Sequence, residues 1–223
     1  MNRLPTEILE EMSRLVTTED RNEMAIPSYL HRNPLMREMA WARVHALETF
    51  LRRVASRRRL TRIVDYGCGT GVLLPAASDL AESVYGVDLV IEPAQWLVGK
   101  LSLPNVQIMK PEECATIASG SVDVILAGEV LEHIDPVEPA LVEYRRLLHR
   151  KGARLLVSLP TENALYRFGR RLAGFSGHYH HDNARSIDAK IRRGGFERVD
   201  RTWIPLPGPL SVYWVMEYAP SPA

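Results

Sequence analysis

Cysteine and net charge are both scarce in this chain, and each shortage excludes a class of protein. Only Cys68 and Cys114 occur among 223 residues, and two thiols by themselves make neither a disulfide framework nor a paired-cysteine metal site. We expect both to be free, because Cys68 lies in a glycine-rich stretch where a crosslink would obstruct a ligand. Free thiols suit a reducing, cytoplasmic compartment. A formal net charge of +1 gives the whole protein no electrostatic attraction to nucleic acid or to a membrane.

Long hydrophobic runs are also missing. No run approaches the roughly 18 apolar residues of a membrane-spanning helix, so no transmembrane segment is expected. The stretch 1–20 is acidic and mixed, without the apolar core of a signal peptide. Apolar residues nevertheless make up 46% of the chain, which is enough for a sizeable core. We expect a main domain over residues 61–223, preceded by an N-terminal helical extension or lid over residues 1–60.

The most informative stretch is Ile63-Val64-Asp65-Tyr66-Gly67-Cys68-Gly69-Thr70-Gly71. Its apolar, β-branched start indicates a buried strand, and the alternating glycines indicate a tight turn before a helix that begins at about residue 72. Glycine lets the backbone adopt unusual φ values or approach a ligand closely. The helix would present free N–H groups and the positive end of its dipole. In open α/β sheets, such a strand, turn and helix hold a nucleotide-like cofactor.

Strands and helices alternate after this turn. Predicted strands cover residues 62–66, 83–88, 106–109, 122–127 and 153–159, and predicted helices cover residues 72–82, 93–100, 111–117 and 136–149. Two helical pieces follow at 163–173 and 184–194, and then two strand-like runs at 196–204 and 210–218 with a hairpin-like reversal between them. Before the sheet, the sequence predicts a helix at 6–16, a polar stretch ending at Pro27, and a helix at 34–56 that Asn33 caps. The fold class is therefore α/β, with a doubly wound, mostly parallel seven-stranded sheet, an antiparallel final strand and N-terminal helices.

The glycine spacing bears on which cofactor the turn holds. The dinucleotide fingerprint G-x-G-x-x-G places its third glycine where this chain has Val72, which argues against a nicotinamide cofactor. Asp65 precedes the turn, and Asp88 ends the next predicted strand about 20 residues after the first glycine, where a carboxylate can accept two ribose hydroxyl hydrogen bonds.

Four stretches in order carry a family resemblance. They are Asp65-x-Gly67-x-Gly69-x-Gly71 with GVD at 86–88, SVDVILAGEVLEHI at 121–134, LLHRKGARLLVS at 147–158, and GGFE at 194–197. Together they resemble class I S-adenosylmethionine-dependent methyltransferases, in the small-molecule branch that includes ubiquinone-type methyltransferases. The family usually has Pro-Gly-Gly where this chain has Lys151-Gly152-Ala153. The resemblance covers about residues 60–203 and implies a Rossmann-like methyltransferase fold.

The resemblance also implies roles for individual residues. Asp65 and the turn would hold the amino-acid end of the cofactor, Asp88 the ribose, Leu89 the adenine ring and Glu112 the adenine amine, at a place where the family more usually has Asp. Glu129 would lie near the methionine portion. The implied S-adenosylmethionine-binding set is Asp65, Gly67, Cys68, Gly69, Gly71, Asp88, Leu89, Glu112 and Glu129.

Three histidines are candidates for catalysis, because histidine is a suitable general base near neutral pH. His133 follows the fourth predicted strand, and it is either a base or a residue of a local turn. His178 and His180 lie in the stretch 174–182, which is either a lid over the acceptor pocket or an exposed polar loop. No metal site is expected, since the adjacent His180, His181 and Asp182 could not easily chelate one ion in good geometry.

Two basic stretches each have two interpretations, so the chemical class of the acceptor stays open. Arginines interleaved with Tyr166, Phe168, Leu172 and Phe175 predict either a surface helix covering the site or a peripheral contact with lipid or a lipid-linked substrate. The arginines between residues 52 and 62 are either a solvated helix end or a patch for an anionic substrate. No nucleic-acid recognition motif is evident.

The sequence therefore predicts a methyltransferase that uses S-adenosylmethionine, yields S-adenosylhomocysteine and methylates a small molecule, with oxygen the favoured atom. The alternatives are a non-catalytic cofactor-binding protein that serves a partner, an NAD-dependent oxidoreductase, and a methyltransferase that acts on a macromolecule.

Overall fold

A computed structural model describes residues 3–148, 151–163 and 182–222 of the chain. The strands within this part are β1 Leu60–Tyr66, β2 Ala81–Val87, β3 Val106–Met109, β4 Val124–Gly128, β5 Arg154–Pro160, β6 Phe196–Pro205 and β7 Ser211–Pro220. The helices are α1 Thr6–Ser13, α2 Thr18–Glu23, α3 Ile26–Tyr29, α4 Pro34–Ala55, α5 Leu74–Leu80, α6 Glu92–Leu101, α7 Glu138–Leu147 and α8 Ala184–Arg193. Short 3-10 turns cover Pro111–Thr116, Leu131–His133 and Gly208–Leu210.

The strands form one seven-stranded sheet in the order β3-β2-β1-β4-β5-β7-β6. The pairs among β1 to β5 are parallel, whereas β7 pairs antiparallel with both β5 and β6. The chain winds outward from β1 to β3 and then returns to place β4 on the other side of β1. This confirms the predicted doubly wound, mostly parallel fold and its antiparallel final strand.

Alternate residues along the central strands face two separate apolar layers. On β4, Leu126 packs with the N-terminal helices and α5, whereas Ile125 packs on the other face of the sheet with residues of α7 and α8. Because both faces are covered, the central strands carry apolar runs such as residues 124–127 of β4, as buried parallel strands usually do.

Helix α4 begins and runs as the sequence predicts. The Asn33 Oδ1 atom accepts a hydrogen bond from the backbone N–H of Leu35 at 2.9 Å, and Pro34 stands at the first helical position. Its apolar face joins the same core as strand residues such as Ile63. Full burial of a Leu, Val or Phe side chain contributes about 1.5–3 kcal/mol, so tertiary packing stabilises this helix more than its cap does.

The prediction of a polar stretch without helices before α4 is wrong, since α2 and α3 occupy that part of the chain. Ile26 and Tyr29 are buried, and Pro27 stands in the first turn of α3, where its missing N–H leaves no helical hydrogen bond unmade. Helices this short are marginal alone; packing that no local pattern reveals holds them in place.

Smaller differences concern boundaries. The helix expected at 72–82 covers only Leu74–Leu80, because Ala81 already pairs with Leu60 in the parallel ladder of β1 and β2. The helix predicted at 163–173 lies outside the described residues, except at its start. No helix in the described part is long and apolar enough to cross a membrane.

Candidate functional site

Three chain segments with polar or glycine residues meet at one edge of the sheet. The glycine turn follows β1, Asp88 follows β2, and Glu129 follows β4. These strands are parallel neighbours, so their carboxyl ends lie side by side. Because the connections from β1 and β4 leave in opposite directions, this edge has the crevice in which open α/β sheets bind ligands.

The glycine turn is built from backbone conformations that other residues adopt only under strain. Gly67, Gly69 and Gly71 have φ values of +73°, +52° and +76°. The amides of Gly67 and Cys68 donate to the Val87 carbonyl oxygen at 2.8 and 3.1 Å, which ties the turn to the end of β2. A Cβ atom on Gly67 would lie 2.5 Å from the Cβ of Val130, so the turn and the segment after β4 are in close contact.

Asp88 reaches across to the glycine turn. Its Oδ2 accepts a hydrogen bond from the Gly69 amide at 2.7 Å, and its Oδ1 accepts one from the Val90 amide at 3.2 Å. Burial raises the pKa of Asp88, while these amides act to lower it. Each carboxylate oxygen can accept more than one hydrogen bond, so Asp88 is oriented by the protein and still able to bind a diol.

Asp65 is a buried carboxyl group beside a second one. Burial, and secondarily the charge of Asp88, raises the pKa of Asp65 to about 7. A cationic ligand group placed against this carboxyl would favour its ionised form. The residue can therefore bind an ammonium group at neutral pH.

The Glu129 carboxylate is paired with a buried arginine. Arg43 of α4 contacts Glu129 through its Nη1 atom and donates from Nη2 to the hydroxyl of Tyr29 at 3.1 Å. Sequence reasoning missed Arg43, although a signal was present. Arg43 adjoins Val44 and lies among the apolar positions Ala40 and Leu47 of the predicted helix, a position where an unpaired charge would be costly.

Glu132 is a second buried carboxyl group near Glu129. Neither of its carboxyl oxygens has a hydrogen-bond partner among the described residues. Burial, and then the charge of Glu129, raises the pKa of Glu132 well above its usual range. Burial therefore opposes the ionisation of Glu132, and Glu129 is the carboxylate that Arg43 contacts.

The remaining predicted site residues differ in their exposure. The Leu89 side chain directly follows Asp88 and is 76% exposed. Glu112 is exposed on the 3-10 turn after β3, where the neighbouring Glu113 instead accepts a hydrogen bond from the Lys110 amide at 2.7 Å. His133 is exposed at the end of the 3-10 turn after β4.

Three of the predicted site residues act differently or cannot be described. The side chain of Cys68 is buried beneath the turn, near Gly86, so only its main chain can face a ligand. Burial is also the main cause that raises the pKa of this thiol well above its ordinary value. His178 and His180 lie outside the described residues.

The N-terminal segment lies over the glycine turn. Side-chain and Cα atoms of Met24 come within 3.7–3.9 Å of the position that a Cβ on Gly69 would occupy. Met24 follows α2, and Ala25 then adopts a left-handed conformation with φ of 55° before α3 begins. Residues between α2 and α3 thus form one wall of the site.

Comparison with known proteins yields one family and several relatives. A family model described as a methyltransferase domain matches residues 29–217. The ubiquinone biosynthesis O-methyltransferase of Cupriavidus pinatubonensis is 33% identical over 107 residues, which is 46% of this chain and 42% of that relative. The chain therefore spans less than half the length of this relative.

Solved structures resemble the fold over most of the chain. The magnesium protoporphyrin IX methyltransferase of Synechocystis, with bound S-adenosylhomocysteine, covers 97% of this chain and all of its own (100%), with a TM-score of 0.67 and 17% identity. The 1,6-didemethyltoxoflavin N1-methyltransferase of Burkholderia thailandensis, with its substrate and S-adenosylhomocysteine, covers 100% of this chain and 93% of its own, with a TM-score of 0.64 and 18% identity. At these identities the likeness shows a shared fold.

Proposed function

Because the chain belongs to the methyltransferase domain family, we propose that it is an enzyme that transfers a methyl group from S-adenosylmethionine to a small-molecule acceptor. The observation that carries the proposal is the meeting of Asp65, the glycine turn, Asp88 and Glu129 at the carboxyl edge of the sheet. The relatives named above support the same reaction class.

The residues at this edge fit the separate parts of the cofactor. Asp65 would pair with its ammonium group, and Asp88, already oriented by the Gly69 amide, would accept the ribose hydroxyls. Leu89 offers exposed apolar surface to the adenine ring, and Glu112 would accept from the adenine amine. When bound, the cofactor supplies an electrophilic methyl group on a sulfonium.

The chain's own task is then to align the acceptor and exclude water. Alignment of two reactants can supply about 7–11 kcal/mol of the barrier at best. Met24 lies on the glycine turn, which supports a role for the N-terminal extension (residues 1–60) as a lid over residues 61–223. We place the reaction in the cytoplasm, where the two buried free thiols would stay reduced.

We favour oxygen as the methylated atom. The relative from Cupriavidus is an O-methyltransferase by name, and His133 is exposed beyond β4, where it could accept the hydroxyl proton. His178 and His180 are further candidates on sequence grounds. His133→Ala should lower turnover by about 10²–10⁴-fold if His133 is the base and leave cofactor affinity nearly unchanged; equal turnover in the variant would exclude this role.

The acceptor that we favour is lipid-linked or anionic. Leu35, Leu206 and Leu210 are 63%, 53% and 50% exposed, and Leu206 and Leu210 lie in the β6–β7 hairpin at the carboxyl edge of the sheet. Helix α4 runs alongside β7, since Arg53 pairs with Glu217 and Arg43 lies over the Tyr213 ring. With a rise of about 1.5 Å per residue, the start of α4 reaches the level of the hairpin. Leu35, Leu206 and Leu210 thus form an apolar rim, and this rim supports contact with a membrane surface.

Vesicle flotation tests the rim. Phosphatidylglycerol-containing vesicles should retain the wild-type protein, and Leu206→Ser with Leu210→Ser should weaken the retention several-fold. Val142→Ser is the matched control, because Val142 is exposed on α7, away from the rim. If the wild type, the double variant and Val142→Ser were retained equally, or if none of them were retained, the membrane contact would be contradicted. An acceptor taken from solution would then be favoured.

Calorimetry tests the function itself. S-adenosylmethionine and S-adenosylhomocysteine should bind, NAD should not, and Asp88→Ala should weaken both cofactors at least tenfold while the protein stays folded. Binding of NAD instead would favour the oxidoreductase. Cofactor binding without turnover on any hydroxylated aromatic or lipid-linked acceptor would favour the non-catalytic alternative.

A further inference from the structure

Arg43 is a charged side chain buried at the junction between helix α4 and the active-site edge. Its guanidinium contacts Glu129 after β4, donates to Tyr29 of α3, and also hydrogen-bonds Tyr213 of β7. The guanidinium carbon lies 5.5 Å from the ring centroids of both tyrosines. A buried guanidinium is stable only when acceptors satisfy its five N–H groups, and these contacts come from three different elements.

Glu129 is held in a backbone conformation that it would not adopt freely. Its φ of 55° lies in the left-handed region, which is strained for a residue other than glycine. Its amide donates to the Ser158 carbonyl oxygen at 3.0 Å, so the end of β4 stays paired with β5. Strain of this kind persists only where the surroundings determine the conformation, and Arg43 contributes a charged contact to those surroundings.

The strained residue also borders the cofactor turn. Val130, the next residue, fills the space beside Gly67 so closely that a Cβ there would lie 2.5 Å away. A shift of Glu129 would therefore move Val130 and disturb the glycine turn. The side chain of Glu129 is 16% exposed, so most of its surface is shielded from solvent.

We propose that Arg43 is a positioning residue: it holds Glu129 in its left-handed conformation, so that the carboxylate and the adjoining Val130 complete the cofactor site. This inference rests on the proposed function, because it takes the site to bind S-adenosylmethionine. Tyr29, Tyr213 and Glu132 are among the titratable groups that face the pair. Arg43 acts through Glu129 and needs no contact of its own with the cofactor.

A double-mutant cycle read by S-adenosylhomocysteine binding tests the proposal. Arg43→Met and Glu129→Gln should each weaken binding at least tenfold. The double variant should bind no more weakly than Glu129→Gln alone, because Arg43 then has nothing left to position. Additive losses would overturn the proposal, and so would unchanged affinity in Arg43→Met.

Arg53→Met is the matched control for general damage to α4. Arg53 lies on the same helix and pairs with Asp200 and Glu217, away from the cofactor edge. We expect Arg53→Met to lower thermal stability without changing the affinity of the folded protein. In Arg43→Ala, millimolar guanidinium should restore at least half of the lost affinity. Arg53→Ala should lose no affinity, so guanidinium should leave its binding unchanged. Failure of guanidinium to restore binding would point to a merely structural role.

Hydrogen exchange of the Glu129 amide in the unliganded proteins gives a readout that does not depend on the cofactor. Exchange should accelerate at least tenfold in Arg43→Met and stay at the wild-type rate in Arg53→Met. If wild-type protein binds no S-adenosylhomocysteine, the proposed function fails, and the exchange data still decide whether Arg43 holds Glu129. Equal protection in all three proteins would overturn the proposal.

Discussion

At the scale of single residues, Asp65 combines burial with the proximity of another carboxyl group. Its pKa of about 7 means that the folded protein retains a proton that an unfolded chain would release near its ordinary pKa. The native state therefore binds more protons than the unfolded state between about pH 4 and 7. The contribution of Asp65 to the free energy of unfolding is therefore fully present at the acidic end of this window, and it is lost as the pH rises through 7.

Asp65→Asn should accordingly stabilise the protein at pH 8 by up to about 4 kcal/mol, from roughly three pKa units at 1.36 kcal/mol each. The difference from wild type should shrink toward zero as the pH falls to 4. Urea unfolding at a series of pH values measures it, with Asp79→Asn, at an exposed position on α5, as the control. A difference that stays constant with pH would show that Asp65 does not titrate in this window.

Gly67 and Gly99 provide a matched pair for the cost of a side chain in the cofactor turn. Gly67 has a φ of +73° and would place a Cβ 2.5 Å from Val130, whereas Gly99 lies within α6 with nothing inside 4 Å. Gly67→Ala should destabilise the protein by about 2–4 kcal/mol from backbone strain and overpacking. Gly99→Ala should stabilise it by about 0.5–1 kcal/mol. Denaturant unfolding at one pH compares them, and similar values would remove the steric argument for this glycine.

At the scale of elements, the segment from α2 to α3 depends on contacts rather than on its own propensity. Its helices have six and four residues, too short to be stable alone, and Met24 lies on the glycine turn. A cofactor in the turn would add contacts to this segment. We therefore expect the amides of residues 18–30 to exchange more slowly when S-adenosylhomocysteine is bound.

Hydrogen exchange followed by mass spectrometry measures this effect. The slowing should be at least severalfold for residues 18–30, and helix α8 provides the control because it packs on the opposite face of the sheet. Unchanged exchange in residues 18–30 with a saturating ligand would mean that the N-terminal segment is not a lid.

At the scale of the whole molecule, cofactor binding should raise the free energy of unfolding. At a ligand concentration of 100 times Kd the gain is about 2.7 kcal/mol, which corresponds to a rise in Tm of about 5–10 °C for a chain of this size. Thermal unfolding with S-adenosylhomocysteine should give this shift, and Asp88→Ala should lose most of it. NAD at the same concentration serves as the control, and an equal shift with NAD would indicate a different cofactor.

Much of the fold could be predicted because its signals are local. The strand at β1, the glycine turn and the capped helix α4 each have a pattern within a few residues, and the structure confirms all three. Helices α2 and α3 were not predicted, since six and four residues carry little local signal. Tyr29 of α3 is buried in a core that includes distant residues such as Leu126. The roles of Asp65, Asp88 and Glu129 remain predictions, although the structure brings these residues to one edge.

The sequence by itself determined the order of the strands and the family, because hydrophobic period, glycine spacing and motif order are properties of neighbouring residues. Only the tertiary structure decided which charges meet. Strands β1 to β4 lie between Arg43 and Glu129 in the sequence, yet the two residues form a buried pair. Met24 likewise lies over Gly69. Such contacts depend on how α4 and the N-terminal helices pack against the strands, and packing over long separations leaves no periodic trace in the sequence.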